Sequence, residues 1–117
     1  MKTVLIAEDN DSNYILMTYI LRSHYEYKRA KDGQEAIDIV AQGGIDLVLM
    51  DIKMPVMDGL EATRNLKESN PDLPVIALTA NAFDSDRQLA AEAGCDEFLT
   101  KPVDRTFCLE TIARYIG

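Results

Sequence analysis

Cysteine is nearly missing from this chain. Only Cys95 and Cys108 occur, each inside a stretch that reads as ordinary core and neither in a C-x-x-C or other metal-ligand spacing. Such usage fits a reducing, cytoplasmic setting. Histidine is scarcer still: the single one, His24, falls at the end of the first expected helix and reads as a solvated or partly packed residue with no catalytic role. Positive charge is in deficit as well. Twelve Lys and Arg stand against 20 Asp and Glu, a formal net charge of -8, and no basic stripe offsets it locally. That balance repels a phosphate backbone and argues against direct nucleic-acid binding. Long apolar runs are absent too, since the run Val4 to Ala7 gives way to acids at once and leaves neither a signal peptide nor a membrane span to be built there. The expectation is a soluble protein without low-complexity segments, linkers or internal repeats.

What the chain does carry is an ordinary globular balance. With 47% hydrophobic and 27% charged residues over 117 positions, it suits one compact domain, residues 1–117, that buries a core without disulfide or metal staples. Short apolar runs stand out at Val4-Leu5-Ile6-Ala7, Leu47-Val48-Leu49-Met50, Val75-Ile76-Ala77-Leu78 and Phe98-Leu99, with a weaker one from Glu26 to Ala30. Continuous apolar character without alternation marks strands buried on both faces, hence a parallel sheet covered by helices.

The segments between the runs supply those helices. The first starts after Asp11 or Ser12, either of which can cap it, and carries Ile15, Leu16, Tyr19 and Ile20 as its apolar stripe. The second runs from about Gln34, with Ala36, Ile37 and Val40, to Gly43-Gly44. A third follows Asp58-Gly59 with Leu60, Thr63 and Leu66 inward and stops before Asn70-Pro71. The fourth, Asp84 to Ala93, is polar and Ala-rich, so its hold on the sheet should be weak, and the fifth, from Asp104, lines up Cys108, Leu109, Ile112 and Ile116. The expected class is α/β: a single doubly wound (βα)5 flavodoxin-like domain with a parallel five-stranded sheet in the order 2-1-3-4-5.

In such a sheet the C-terminal ends of all strands share one edge, and ligands bind there where the strand order reverses. Glu8 and Asp9 end the first strand, Asp51 the third, Thr79 the fourth and Lys101 the fifth. Three carboxylates forced together repel unless a proton or a cation neutralises them. Oxygen ligands with no His or Cys nearby suit a hard ion, which implies Mg2+. A carboxylate can also be a covalent nucleophile toward phosphorus, giving an aspartyl phosphate. An ammonium and a hydroxyl, Lys101 and Thr79, would then satisfy oxygens of the incoming group.

These pieces resemble the receiver domains of response regulators over essentially the whole chain. The resemblance rests on Ile6-Ala7-Glu8-Asp9-Asn10, Leu49-Met50-Asp51-Ile52-Lys53-Met54-Pro55, Met57-Asp58-Gly59, Leu78-Thr79-Ala80 and Thr100-Lys101-Pro102, in the right order and each at a strand end. It implies that Asp51 is the phosphoacceptor, and that Glu8, Asp9 and Asp51 hold magnesium together with the backbone carbonyl of Lys53. It implies further that Lys101 and Thr79 read the phosphoryl group, and that a cis bond before Pro102 aims Lys101. Phe98 resembles the family's switch aromatic. Where many members carry Asp, this chain has Glu8, one methylene longer, a length that would let it hold the ion through a water rather than directly. The segments Asp9-Asn10 with Asn13 and Thr79-Ala80-Asn81-Ala82 are similar to receivers attached to or serving hybrid histidine kinases. The partners so implied are a histidine kinase or a histidine phosphotransfer protein. A downstream partner, or a second copy, would meet the face formed by the fourth helix, fifth strand and fifth helix.

Blander readings lose on particular residues. Asp9, Asp11 and Asn13 imitate a calcium loop, but Tyr14 sits where Gly is needed and Ile20 where a bidentate Glu belongs. A haloacid-dehalogenase-like phosphatase, the enzymatic alternative, wants a second Asp two residues after the nucleophile, and Lys53 stands there. A flavin or nucleotide carrier needs a phosphate-cradling Gly-rich loop, and Glu8-Asp9-Asn10 is its electrostatic opposite. Met50, Met54 and Met57 read as packing, and the acids at Glu92, Asp96 and Glu97 as a solvated face. Lys53 and Asn81 flank the expected site and should tune hydrolysis of the phosphoryl group. The expected function is a signalling switch of a two-component or phosphorelay system, not an enzyme.

Overall fold

The computed structural model describes residues 1–80 and 84–117, and for Asp84 the backbone only. The reading of Asn81 lies outside the described residues. Five strands alternate with five helices: β1 Thr3–Ala7, α1 Asp11–Leu21, β2 Glu26–Ala30, α2 Gly33–Ala41, β3 Leu47–Asp51, α3 Gly59–Ser69, β4 Val75–Thr79, α4 Asp84–Ala93, β5 Glu97–Thr100 and α5 Arg105–Ile116. All neighbouring strands pair in parallel in the order β2-β1-β3-β4-β5. The order reverses between β1 and β3, which opens a crevice at their C-terminal ends.

Burial follows the two-residue alternation of strands, with both faces covered. Val4 and Ile6 pack with Met17, Ile20, Cys108 and Ile112 of α1 and α5. Leu5 and Ala7 pack on the other face with Ala36, Val40, Ala62 and Leu66 of α2 and α3. Every residue of β3 and β4 is buried, as the unbroken apolar runs require. A smaller cluster of Ile52, Ala77 and Ala90 packs α4 onto the sheet, with Phe98 against it. Residues chosen for their side-chain oxygens open four of the helices. Asn10, Asp32, Asp58 and Asp104 each accept a hydrogen bond from the backbone N–H three residues on, a device that contributes about 1 kcal/mol per helix. At the far end of α2, Gly43 and Gly44 take φ of 88° and 85°.

Two expectations are corrected here. Helix α1 is capped by Asn10, not by Asp11 or Ser12, and it buries Met17, Ile20 and Leu21 while Ile15, Leu16 and Tyr19 stay about half exposed. Six apolar residues between 15 and 21 give a helix with apolar character on nearly all sides, so the stripe alone does not tell which side meets the sheet. The acids near β5 are solvated as expected, with Glu92 and Asp96 exposed, but two of them also hold the fold together. Asp96 accepts hydrogen bonds from Lys67 Nζ at 2.7 Å and from the Val75 N–H at 2.9 Å, and Glu97 pairs with Arg114 at 2.8 Å. Among the described residues no helix is long and apolar enough to cross a membrane.

Candidate functional site

The crevice gathers its groups because four chain segments end there. Glu8 follows β1 directly, its N–H held by the Ala30 carbonyl at 2.9 Å, and it is buried. Asp9 beside it is exposed. Asp51 is the last residue of β3 and only 6% exposed. One carboxylate oxygen from each of the three lies within 4.8 Å of the others. Lys101 comes off the end of β5, its backbone N–H bonded to the Thr79 carbonyl at 2.7 Å, and the Lys101-Pro102 peptide is cis. Its ammonium reaches Glu8 Oε1 at 2.6 Å and Asp51 Oδ2 at 3.1 Å. The remaining oxygens also have donors: the Lys53 N–H at 3.0 Å from Asp51 Oδ1 and the Asn10 N–H at 3.3 Å from Glu8 Oε2.

The electrostatics follow from that crowding. Burial, together with a hydrogen bond and like charge from Asp51, pushes the Glu8 carboxyl up to about 7, against the opposing pull of Lys101. Burial alone would lower the pKa of Lys101, but the Glu8 and Asp51 carboxylates outweigh it and hold the ammonium above the usual lysine range. Three acids and one ammonium leave the cluster short of positive charge. A donor set made of oxygen alone fits a hard divalent ion such as magnesium.

Thr79 is buried at the end of β4, next to β3 in the sheet, and Phe98 lies in β5 opposite Ala77. Phe98 is half-buried already, packed toward Ile52, Ala77 and Ala90 with the Arg87 guanidinium 5.1 Å from its ring centroid. The structure therefore brings Glu8, Asp9, Asp51 and Lys101 together and sets Phe98 apart, on the α4 side. The roles of two residues escaped the sequence reading, although Gly59 was noted there as part of a motif. Gly59 lies so near the Asp51 carbonyl that a β-carbon would stand 2.2 Å from it. Arg29, at the end of the weakest strand, reaches the carbonyls of Glu8 and Asp9 at 3.1 and 3.3 Å. The available signal was weak, because Arg29 follows a second cation, Lys28, in a strand whose first three residues are exposed.

Adjoining the crevice, a groove of about 550 Å³ is lined by Leu16, Met17 and Ile20 of α1, by Val103 before α5, and by Glu8 and Lys101 of the site itself.

A doubly wound parallel sheet in the order β2-β1-β3-β4-β5, with a buried Asp, two further acids and a lysine at its switch point, defines a flavodoxin-like α/β domain with an acidic crevice at its ligand-binding edge. The chain belongs to the response regulator receiver domain family, whose model matches residues 4–113. It is 39% identical to the polar-differentiation response regulator DivK of Brucella anthropi, over 99% of this chain and 97% of that protein. Among solved structures it resembles the receiver domain of the sensor histidine kinase PA1611 from Pseudomonas aeruginosa, solved with a magnesium ion coordinated in the active site cleft. That match has 35% identity, a TM-score of 0.92, and coverage of 99% of this chain and 98% of that one. It also resembles a chain of the Saccharomyces cerevisiae complex between the histidine phosphotransfer protein Ypd1 and the receiver domain of Ssk1, with 34% identity, a TM-score of 0.91, and coverage of 97% and 88%. The chain is thus a receiver domain of two-component or phosphorelay signalling, a switch rather than an enzyme. The phosphatase alternative gains no support.

Proposed function

We propose that Asp51 accepts a phosphoryl group from a phosphohistidine and that the domain then changes partners. One observation carries this reading: Asp51 ends a fully buried strand with one oxygen fixed by the Lys53 N–H and the other by Lys101, inside a cage of acids. An Asp51 oxygen forms the new bond to phosphorus while the P–N bond breaks, its electron pair returning to the imidazole of the donor. Glu8, Asp9, Asp51 and the Lys53 carbonyl would hold magnesium. The ion, when bound, would neutralise charge on the transferring oxygens. Lys101 and the Thr79 hydroxyl would take the other phosphoryl oxygens, and the pull on Thr79 would pass to Phe98. Because Phe98 is half-buried before any change, its further burial contributes less than the roughly 1.5–3 kcal/mol of a fully exposed ring.

The donor would dock on the apolar groove beside α1, because that groove runs directly into the Lys101 end of the site and leaves Leu16 and Tyr19 exposed. The output partner, or a second copy, would use the face of α4, β5 and α5, where Leu89 and Tyr115 are exposed. The reading is tested by intact mass after incubation with acetyl phosphate and, separately, with a phosphorylated histidine phosphotransfer protein. One phosphoryl group is expected in each case, and none with excess chelator. Leu16→Glu should slow transfer from the protein donor by about ten-fold or more and leave the acetyl phosphate rate alone. Equal rates from the protein donor in both proteins would remove the groove from the account, and chelator-resistant phosphorylation would remove the metal.

The raised Glu8 carboxyl also predicts a pH dependence. Without metal, the folded state holds a proton that the unfolded chain releases near the ordinary value of 4.5, so this group stabilises the fold at low pH. The contribution is lost as pH rises toward about 7. Magnesium needs the carboxylate, so its apparent affinity should fall by up to about ten-fold per pH unit below 7. Calorimetric titration at pH 6, 7 and 8 checks this, and a flat profile would mean that Glu8 is not protonated before the ion binds.

A further inference from the structure

Arg29 makes more contacts with one loop than a surface arginine needs. It is partly buried near the C-terminal end of β2, opposite Ile6 in register, and its side chain is only 17% exposed. Its Nε donates to the Glu8 carbonyl at 3.1 Å, and one terminal nitrogen donates to the Asp9 carbonyl at 3.3 Å while pairing with Asp11 Oδ1 at 2.9 Å. The guanidinium plane also lies 4.4 Å from the ring centroid of Tyr14, which packs edge-on against Tyr27. A single side chain therefore grips three of the four residues from Glu8 to Asp11, two in the loop after β1 and one at the start of α1. Two of those are the acids of the cluster. A rigid planar fork suits this task, since the compact ammonium of a lysine does not reach two carbonyls and a carboxylate while its charge also stands over a ring.

We propose that Arg29 is the positioning residue of the acidic loop: by holding the main chain of Glu8 and Asp9, it sets the spacing of their carboxylates and so the affinity for a divalent ion. This rests on the reading that those carboxylates hold the ion. Two effects of removing Arg29 oppose each other. Loss of a positive charge near the cluster should tighten cation binding by Coulomb attraction, whereas loss of the anchor should loosen it by letting the loop spread. Arg29 is already paired with Asp11, so the charge effect is largely offset and the anchor should win. The sign of the change therefore separates the two roles.

The test is a titration of the full chain with magnesium alone, followed by calorimetry, with thermal unfolding in chelator as the control for the fold. Arg29→Met, which keeps the apolar stem, should weaken magnesium binding by about ten-fold, in the range seen when a group supporting metal ligands is removed. Arg29→Lys should fall between it and the wild type. At saturating magnesium the rate with acetyl phosphate should change far less than the magnesium concentration needed to reach half of it. Unchanged or tighter binding in Arg29→Met would overturn the proposal, and if that variant does not fold, unchanged binding in Arg29→Lys would do the same. Asp9→Asn, run alongside, keeps the two ideas separate. If it leaves magnesium affinity intact, the ion sits elsewhere and the reading of the acidic cluster fails; if it weakens binding while the Arg29 variants do not, only the positioning role fails.

Discussion

Replacing Asp51 by Asn should abolish phosphorylation while leaving the fold intact. The amide is isosteric and its oxygen can still accept from the Lys53 N–H, so the main-chain geometry at the end of β3 is kept. What is lost is the anionic oxygen that attacks phosphorus, and no rearrangement of the site restores it. The neighbours respond predictably. Asp51 raises the Glu8 carboxyl both by hydrogen bond and by charge, so in Asp51→Asn that carboxyl should titrate lower, and Lys101 should pair with Glu8 alone. Repulsion between two buried acids disappears with it, and the metal-free variant should be at least as stable as the wild type. Intact mass after acetyl phosphate and magnesium should show no added phosphoryl group, a drop of more than about 100-fold in yield. A full phosphoryl gain in this variant would mean that another side chain is the acceptor, and the reading of the site would fall.

The largest stability effect should come from a methyl group. In Gly59→Ala the new β-carbon would stand 2.2 Å from the Asp51 carbonyl oxygen, 2.9 Å from its carbon and 2.7 Å from Ile52 Cα. All three are main-chain atoms, so no side chain can swing away. Either the start of α3 lifts, breaking the 3.2 Å bond from the Gly59 N–H to the Ile52 carbonyl, or the end of β3 moves and takes Asp51 with it. Overpacking against backbone costs about 2–4 kcal/mol, which for a domain of this size lowers the melting temperature by roughly 10 °C or more. Gly43→Ala is the control, because nothing lies within 4 Å of its β-carbon and only the strain of φ 88° applies, about 1 kcal/mol. Thermal unfolding of the two variants should separate them clearly. Comparable losses would mean that helix and strand are not held as close as described.

How much of this could be seen in the sequence depended on whether one residue or several carried the signal. Strands β3 and β4 were legible because burial on both faces leaves no polar position before their last residues, Asp51 and Thr79, and the parallel order followed from their alternation with helices. Glu8, Asp9, Asp51 and Lys101 were legible because the end of a strand in such a sheet has only one place to be. The inward side of α1 was not, since its apolar residues surround the helix, and the two that face solvent most, Leu16 and Tyr19, border the groove. Arg29 and Asp96 were missed for a different reason. Their roles depend on which distant main-chain groups come within reach, the Glu8 carbonyl for one and the Val75 N–H for the other, and local pattern holds no record of that.

The Lys67 contacts give α4 the character of a lever. Lys67 joins the Leu73 carbonyl at 2.6 Å and Asp96 at 2.7 Å, and its stem packs over Gly94, where the chain leaves α4. The buried residues of that helix, Ala90 and Ala93, lie at the same end, while Leu89 is already exposed. Any tilt of α4 would therefore turn about its C-terminal end, with the Arg87 guanidinium, 5.1 Å from the Phe98 ring centroid, on the arm that moves. A ten-residue helix is about 15 Å long, so a tilt of about 10° around that fulcrum carries the far end roughly 2.5 Å and the near end almost nowhere. A partner that grips the N-terminal half of α4 would feel the full stroke, and one that grips Gly94 would feel none.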